Sequence, residues 1–195
     1  MTSDFFRDTR LAIKEKKAIE VLETSGRLLS LEDTFSRFRG YLLRGHVFEY
    51  GGGGIKIDLQ RAIADYRSAA ILIRNSDPAP LLYLARAHMK QGSQEYPVAL
   101  KYIREADSVE HTPEVDLAYA YFYETMAEPN FDAAKKHFLK AALSGRFAGF
   151  FGYAEVLRKT ENRFFACMVD CIRVLLGPLL FLVLGKRASQ SFNGY

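Results

Sequence analysis

Asp58-Leu59-Gln60-Arg61-Ala62-Ile63-Ala64-Asp65-Tyr66-Arg67-Ser68-Ala69-Ala70 is the stretch that decides how this chain folds. Its ending, Tyr66-x-x-Ala69-Ala70, returns as Tyr102-x-x-Glu105-Ala106 and as Phe138-x-x-Ala141-Ala142, each 36 residues after the last. A fixed period of this length marks a helical repeat array. In such arrays a helix pair cannot bury its apolar face alone, so neighbours stack into a continuous core and leave an extended surface. Ala62, Val98 and Ala134 stand four residues before the ring, and Ala70, Ala106 and Ala142 four residues after it. Small, aromatic, small at intervals of four makes one helix stripe. Close helix contact at the small positions leaves a gap that the ring fills.

An apolar helical stretch precedes each of these helices. The expected pairs are Leu28 to Tyr50 with Asp58 to Ile73, Pro80 to Gln91 with Pro97 to Ser108, and Pro113 to Ala127 with Phe131 to Ser144; a fourth starts near Phe147. Asp77-Pro78 and Thr112-Pro113-Glu114 put a capping side chain before a proline that suits a first helical turn. Asp58, Asn130 and Asp132 are further caps. Short connections rich in Gly, Asn, Ser or Pro make each pair an antiparallel hairpin. No run alternates with period two for long enough to build a sheet, so the expected fold class is all-α.

Gly45-x-x-Phe48-x-x-Gly51-x-Gly53, followed by Asp58-x-x-Arg61-Ala62-x-x-x-Tyr66-x-x-Ala69-Ala70, resembles the SEL-one-like repeat, a branch of the tetratricopeptide-type helical repeats. Ala141-Ala142-x-x-Gly145 and then Ala154 resemble that family's junction between repeats. The likeness covers the chain from about Tyr41 to Lys159. It departs from the pattern where one extra residue separates the glycines from Asp58, and where Glu105 and Ser93-Gln94-Glu95 replace an alanine and a glycine loop. The resemblance implies a right-handed α-solenoid that binds proteins, frequently as an adaptor for envelope or signalling complexes, and it implies no catalytic residues. If the array binds a partner, the face built by the first helix of each pair carries Tyr83, Arg86, His88 and Lys90, then Tyr119, Phe122 and Tyr123. Adjacent helical positions face different ways, so the run Tyr119 to Tyr123 should expose some ring, and exposed Tyr is a common interface anchor.

At 195 residues, 49% apolar and 26% charged, the chain is globular and long enough for a sizeable core. Met1 to Arg10 mixes acids and bases and holds no apolar signal core, against a cleaved secretion signal. Leu11 to Glu23 reads as an amphipathic helix capping the first repeat, which sets the expected organisation: a capping helix in residues 1–27, the array in 28–160 and a hydrophobic tail in 161–195. Net charge is +1 over residues 1–50, −1 over 51–145 and +4 over 146–195. A nucleic-acid binder carries a basic stripe across its fold. Here the excess sits in the tail, which argues against nucleic acid and toward an anionic membrane surface.

That tail runs apolar from Phe164 to Leu184, with Arg158, Lys159 and Arg163 before it and Lys186 and Arg187 after it. Its 21 residues are long enough to span a bilayer. Asp170 and Arg173 lie inside, however, each costing about 2.5 to 3.5 kcal/mol near the membrane centre against about 0.3 to 0.6 gained per Leu, Ile, Phe or Val. Phe165, Met168, Ile172, Leu175 and Leu179 follow helical spacing, as for a helix packed on the last repeat, while Val174 to Gly185 is uncharged on every side. Gly177-Pro178 should kink or break the helix. Three readings are open for the segment marked by Phe164, Phe165, Ile172, Leu175, Leu179, Phe181 and Leu184: membrane association, docking into another subunit, or a buried terminal cap.

Cys167 and Cys171 stand one helical turn apart, a poor geometry for a disulfide, and read as free thiols in a reducing compartment. His46, His88, His111 and His137 are scattered over different helices, so no metal or cofactor is expected. Gly51-Gly52-Gly53-Gly54 lacks the Gly-Lys-Ser/Thr and the preceding strand of a phosphate cradle, and reads as a turn between helices. No nucleophile motif stands out. The reading is a non-enzymatic, cytoplasm-facing adaptor for protein partners, held at the membrane by its tail. The alternatives are a soluble subunit whose tail docks into a partner or its own oligomer, and an enzyme without a recognisable motif.

Overall fold

A computed structural model of the chain describes residues 17–73, 76–160, 164–169, 171 and 174. Those residues are all-helical, with neighbouring helices packed in sequence order and no β-strand among them beyond one isolated bridge between Gly52 and Ile55. The chain divides into two compact units, residues 1–110 and 111–195. In the first, α1 (Ala18–Leu29), α2 (Thr34–Tyr50), α3 (Leu59–Ile73), α4 (Ala79–Gln91) and α5 (Tyr96–Val109) pack each on the next, with a 3-10 turn at Ser93–Glu95. In the second, α6 (Pro113–Thr125) packs on α7 (Phe131–Leu143) and α7 on α8 (Ala148–Lys159).

Local chemistry sets the helix starts. Asp58 accepts from the Arg61 N–H, Thr112 from Val115, Asn130 from Ala133 and Asp77 from Ala79, each satisfying a donor that the first turn leaves without a partner. Asp132 instead pairs with Lys135. The stretch expected to be one helix from Leu28 is divided. The Ser30 hydroxyl folds back on the Arg27 carbonyl and Asp33, in an extended conformation, accepts from the Ser36 N–H, so α1 ends and α2 begins within four residues. Gly51 to Gly54 all adopt positive φ. Only glycine does this in succession without strain, and the tetrad is the turn between α2 and α3.

Burial corrects the register of the repeat. The fully buried stripe is Ala62, Tyr66, Ala69 on α3, Ala99, Ile103, Ala106 on α5 and Ala134, Phe138, Ala141 on α7. Its spacing is 37 residues and then 35, not 36 twice. On α5 the large buried residue is Ile103; Val98 and Tyr102, placed in the stripe by sequence, lie outside it. One residue turns a helix by 100°, so α5 buries the face beside the one its aromatic residue marks.

The rings need glycine opposite them. A Cβ on Gly45 of α2 would fall 2.6 Å from Cε1 of Tyr66, and one on Gly152 of α8 would collide with the ring of Phe138. Tyr66 thereby enters the core of Phe38, Leu42, Ile63, Ala69 and Leu84, and Phe138 that of Ala120, Ala134 and Val156. Each ring buries about 150–250 Å². Beyond α8, Ala166 is buried while Phe165 and Met168 are exposed. This reverses the expectation that the Phe165–Met168 stripe packs on the repeats; it is the small side chain that meets the protein here.

Candidate functional site

Polar chemistry in the first unit converges on one buried carboxylate. Glu49 lies in the last turn of α2, one helical turn beyond His46 and next to Tyr50, and is fully buried. Tyr83, Arg86 and Lys90 reach it from α4, where their i, i+3, i+7 spacing puts them on one face. Arg86 donates from Nε to Oε1 and from Nη2 to Oε2, both at 2.7 Å. Lys90 Nζ stands 2.8 Å from Oε1, and the Tyr66 hydroxyl of α3 donates to Oε2 at 2.6 Å. With the hydroxyl proton directed at Glu49, His46 Nδ1, 2.9 Å from the Tyr66 oxygen, must be the donor of that contact. Three helices are tied through one side chain.

Burial alone would raise the Glu49 pKa, but the Arg86 charge and the hydrogen bonds around it hold the carboxyl well below its usual range. Burial and the adjacent Glu49 charge push the Tyr66 phenol well up, so it remains a donor. Burial pushes Tyr83 up as well. Arg86 lies 4.8 Å from the Tyr83 ring centroid and 5.5 Å from that of Tyr50, and Lys90 Nζ is 3.9 Å from the latter. The aromatic faces attract both cations, and the two side chains still expose 34% and 37% of their surface.

The remaining first-unit candidate, His88, faces away from this face. It is buried, its Nδ1 is 3.0 Å from Glu95 Oε2, and its ring stacks on Tyr102. A shallow cleft of about 330 Å³ elsewhere in this unit is lined by Arg44, Phe48, Arg61, Ala64 and Asp65. There Arg44 binds Asp65 through both oxygens at 2.7 and 2.9 Å.

In the second unit Tyr119 and Tyr123 stack on His137 of α7, centroids 5.0 and 5.7 Å away. His137 Nδ1 in turn meets Asp116 Oδ1 at 2.7 Å, and His111 Nε2 lies 3.2 Å from Oδ2. Phe122 is buried and unavailable to a partner. No group of three His, Cys, Asp or Glu among the described residues is arranged to hold a metal. Phe164 and Phe165 are exposed, whereas Ile172, Leu175, Leu179, Phe181 and Leu184 lie outside the described residues. No helix among the described residues is long and apolar enough to cross a membrane.

Sequence reading had singled out the α4 face but not Glu49, which is 37 residues from Arg86 and was unremarkable as one polar residue on a helix. No family model matches the chain, and neither a curated protein nor a solved structure matches it.

Proposed function

We propose that the protein is a non-catalytic scaffold or adaptor, a right-handed solenoid of SEL-one-like helix pairs that binds proteins and organises an envelope-associated complex on the cytoplasmic side of a membrane. The observation that carries this reading is the cluster at Glu49. Ion pairs to a fully buried carboxylate fix two cations on one face of α4, against the rings of Tyr83 on the same helix and Tyr50 on α2, with about a third of each cationic side chain in solvent. Tyr and Arg on a rigid element are what protein interfaces most often use as anchors. The cluster offers no activated nucleophile and no acid–base pair facing a cavity.

Attachment through the segment that begins at Phe164 is supported by its basic flanks and by side chains turned to solvent, Phe164 at 78% and Val174 at 65% exposure, with Phe165 and Met168 between them. Exposed apolar surface of this kind is covered by lipid or by protein. Fractionation of the full chain beside a chain ending at Lys159 tests the attachment: the full chain should need detergent and the shorter one should not. Equal solubility of the two without detergent would defeat the membrane reading. A stoichiometric protein partner lost on the same truncation would support a docking tail in its place.

A further inference from the structure

We propose that the Arg86–Lys90 face of α4 is a binding site for a carboxylate carried by a protein partner, an inference that rests on the scaffold reading and names the chemistry its partner would bring. Glu49 is already saturated: Arg86 Nε and Lys90 hold Oε1, and Arg86 Nη2 and the Tyr66 hydroxyl hold Oε2. Two cations thus share one anion, and the cluster carries one positive charge in excess. Among the described residues Asp77, whose carboxylate caps the N-terminal end of α4 through the Ala79 N–H, forms no ion pair with either cation. Arg86 keeps the two N–H groups of Nη1, and Lys90 two of its three donors, with about a third of each side chain in solvent.

The charge count selects the ligand. A carboxylate brings one negative charge and leaves the cluster neutral. A phosphate group brings nearly two at pH 7, which would leave a net negative charge beside buried Glu49. Geometry agrees, since a guanidinium edge with an adjacent ammonium offers parallel donors to two carboxylate oxygens. Tyr50 and Tyr83 hold these cations by their ring faces and give the residues flanking the carboxylate an amphipathic wall.

The full chain is titrated at low salt with three labelled hexapeptides, followed by fluorescence anisotropy: hexaglutamate with an amidated end, hexaglutamine with a free C-terminal carboxylate, and amidated hexaglutamine. Binding of the first, the second or both, but not the third, is expected, and the first two arms tell side-chain from terminal carboxylate. Lys90→Gln leaves the two-pronged Arg86–Glu49 pair in place and should weaken binding about tenfold, as expected for a hydrogen bond to a charged group. Arg61→Gln, on the exposed Arg61–Asp58 pair, should leave it within about twofold. Circular dichroism checks that both variants are folded. The proposal is overturned by equal binding of all three peptides, by a Lys90→Gln affinity equal to wild type, or by tighter binding of a phosphoserine peptide without other acids. Any of these, in a chain that still co-purifies with a protein partner, leaves the scaffold reading standing.

Discussion

Gly45→Ala should destabilise the first unit even though the substitution favours the helix. Gly45 lies inside α2, where alanine is intrinsically better by about 1 kcal/mol. Its new Cβ would fall 2.6 Å from Cε1 and 2.8 Å from Cδ1 of Tyr66, against the 3.5–4.0 Å at which carbon atoms ordinarily rest. The ring must therefore move by nearly 1 Å, and three contacts resist it. Its hydroxyl is 2.6 Å from Glu49 and 2.9 Å from His46, its ring centroid lies 5.4 Å from that of the tilted Tyr83 ring, and it is fully buried. Overpacking of this kind costs about 1–3 kcal/mol, and loosening a hydrogen bond to a buried carboxylate about 1.5–3. After the helix gain, a net loss of about 1.5–5 kcal/mol is expected in urea denaturation. Gly26→Ala supplies the opposite sign: nothing lies within 4 Å of its Cβ, so it should stabilise by about 0.5–1 kcal/mol. The Gly45→Ala loss should also shrink in a Tyr66→Ala background, where the two substitutions are coupled through the ring. A Gly45→Ala protein as stable as wild type, or stabilised as much as Gly26→Ala, would refute the claim that the Tyr66 ring lies against the α2 backbone.

The same denaturation measurement separates the two registers on α5: Ile103→Ala should cost about 2–5 kcal/mol, and Tyr102→Ala distinctly less, the reverse of what a strict 36-residue period requires. Gly152→Ala in the second unit should be worse than Gly45→Ala, because its Cβ would overlap three atoms of the fully buried Phe138 ring; melting temperature is the readout. Glu49→Gln should cost about 2 kcal/mol at pH 7, below the 3–5 of a fully buried pair because Arg86 and Lys90 keep part of their surface in water. The folded pKa of Glu49 is depressed, so its contribution is complete above the unfolded value of 4.5 and fades as pH falls from there through the folded pKa. Stability measured against pH should accordingly drop less steeply below 4.5 in Glu49→Gln than in wild type.

The parts of the fold legible in sequence are those fixed by neighbours a few residues apart. Capping by Asp58, Thr112 and Asn130 depends on a side chain reaching an N–H three residues on, and the helices after these caps start where the residues predicted. Asp33 acts by the same chemistry, but the apolar run Leu28-Leu29 with Leu31 across it masked the break. Tyr102 shows the limit of a repeat read by residue type: its ring matches Tyr66 and Phe138 in sequence, yet it stacks on His88 while Ile103 fills the core. The candidate site was half legible. The sequence names Tyr83, Arg86, His88 and Lys90 on the first helix of a pair, of which His88 turns to Glu95 and Tyr102 instead, and the burial of Glu49 follows from three helices meeting, which no local pattern encodes.

The corrected register also lines up one position whose polarity differs between the helix pairs. Arg44 of α2 and Asp65 of α3 form an ion pair 21 residues apart, and Asp116 of α6 and His137 of α7 form another with the same separation, 72 residues further along. The intermediate steps of 37 and 35 put Leu81 and Tyr102 at these positions on α4 and α5, both packed against the first unit's apolar core. One contact position thus reads basic–acidic, apolar–apolar and acidic–imidazole in successive pairs. Joining α3 to α6 would set the carboxylates of Asp65 and Asp116 against each other at neutral pH, and joining α2 to α7 would take from Arg44 the carboxylate it now holds. Placing an apolar partner opposite Asp65 would leave a buried carboxylate without the Arg44 guanidinium, a loss of several kcal/mol. Apolar packing already discriminates in part, because Tyr66 fits against Gly45 and Phe138 against Gly152. The polar position adds to that discrimination, because each buried aspartate is held by a partner that the other helix pairs do not offer at the same place.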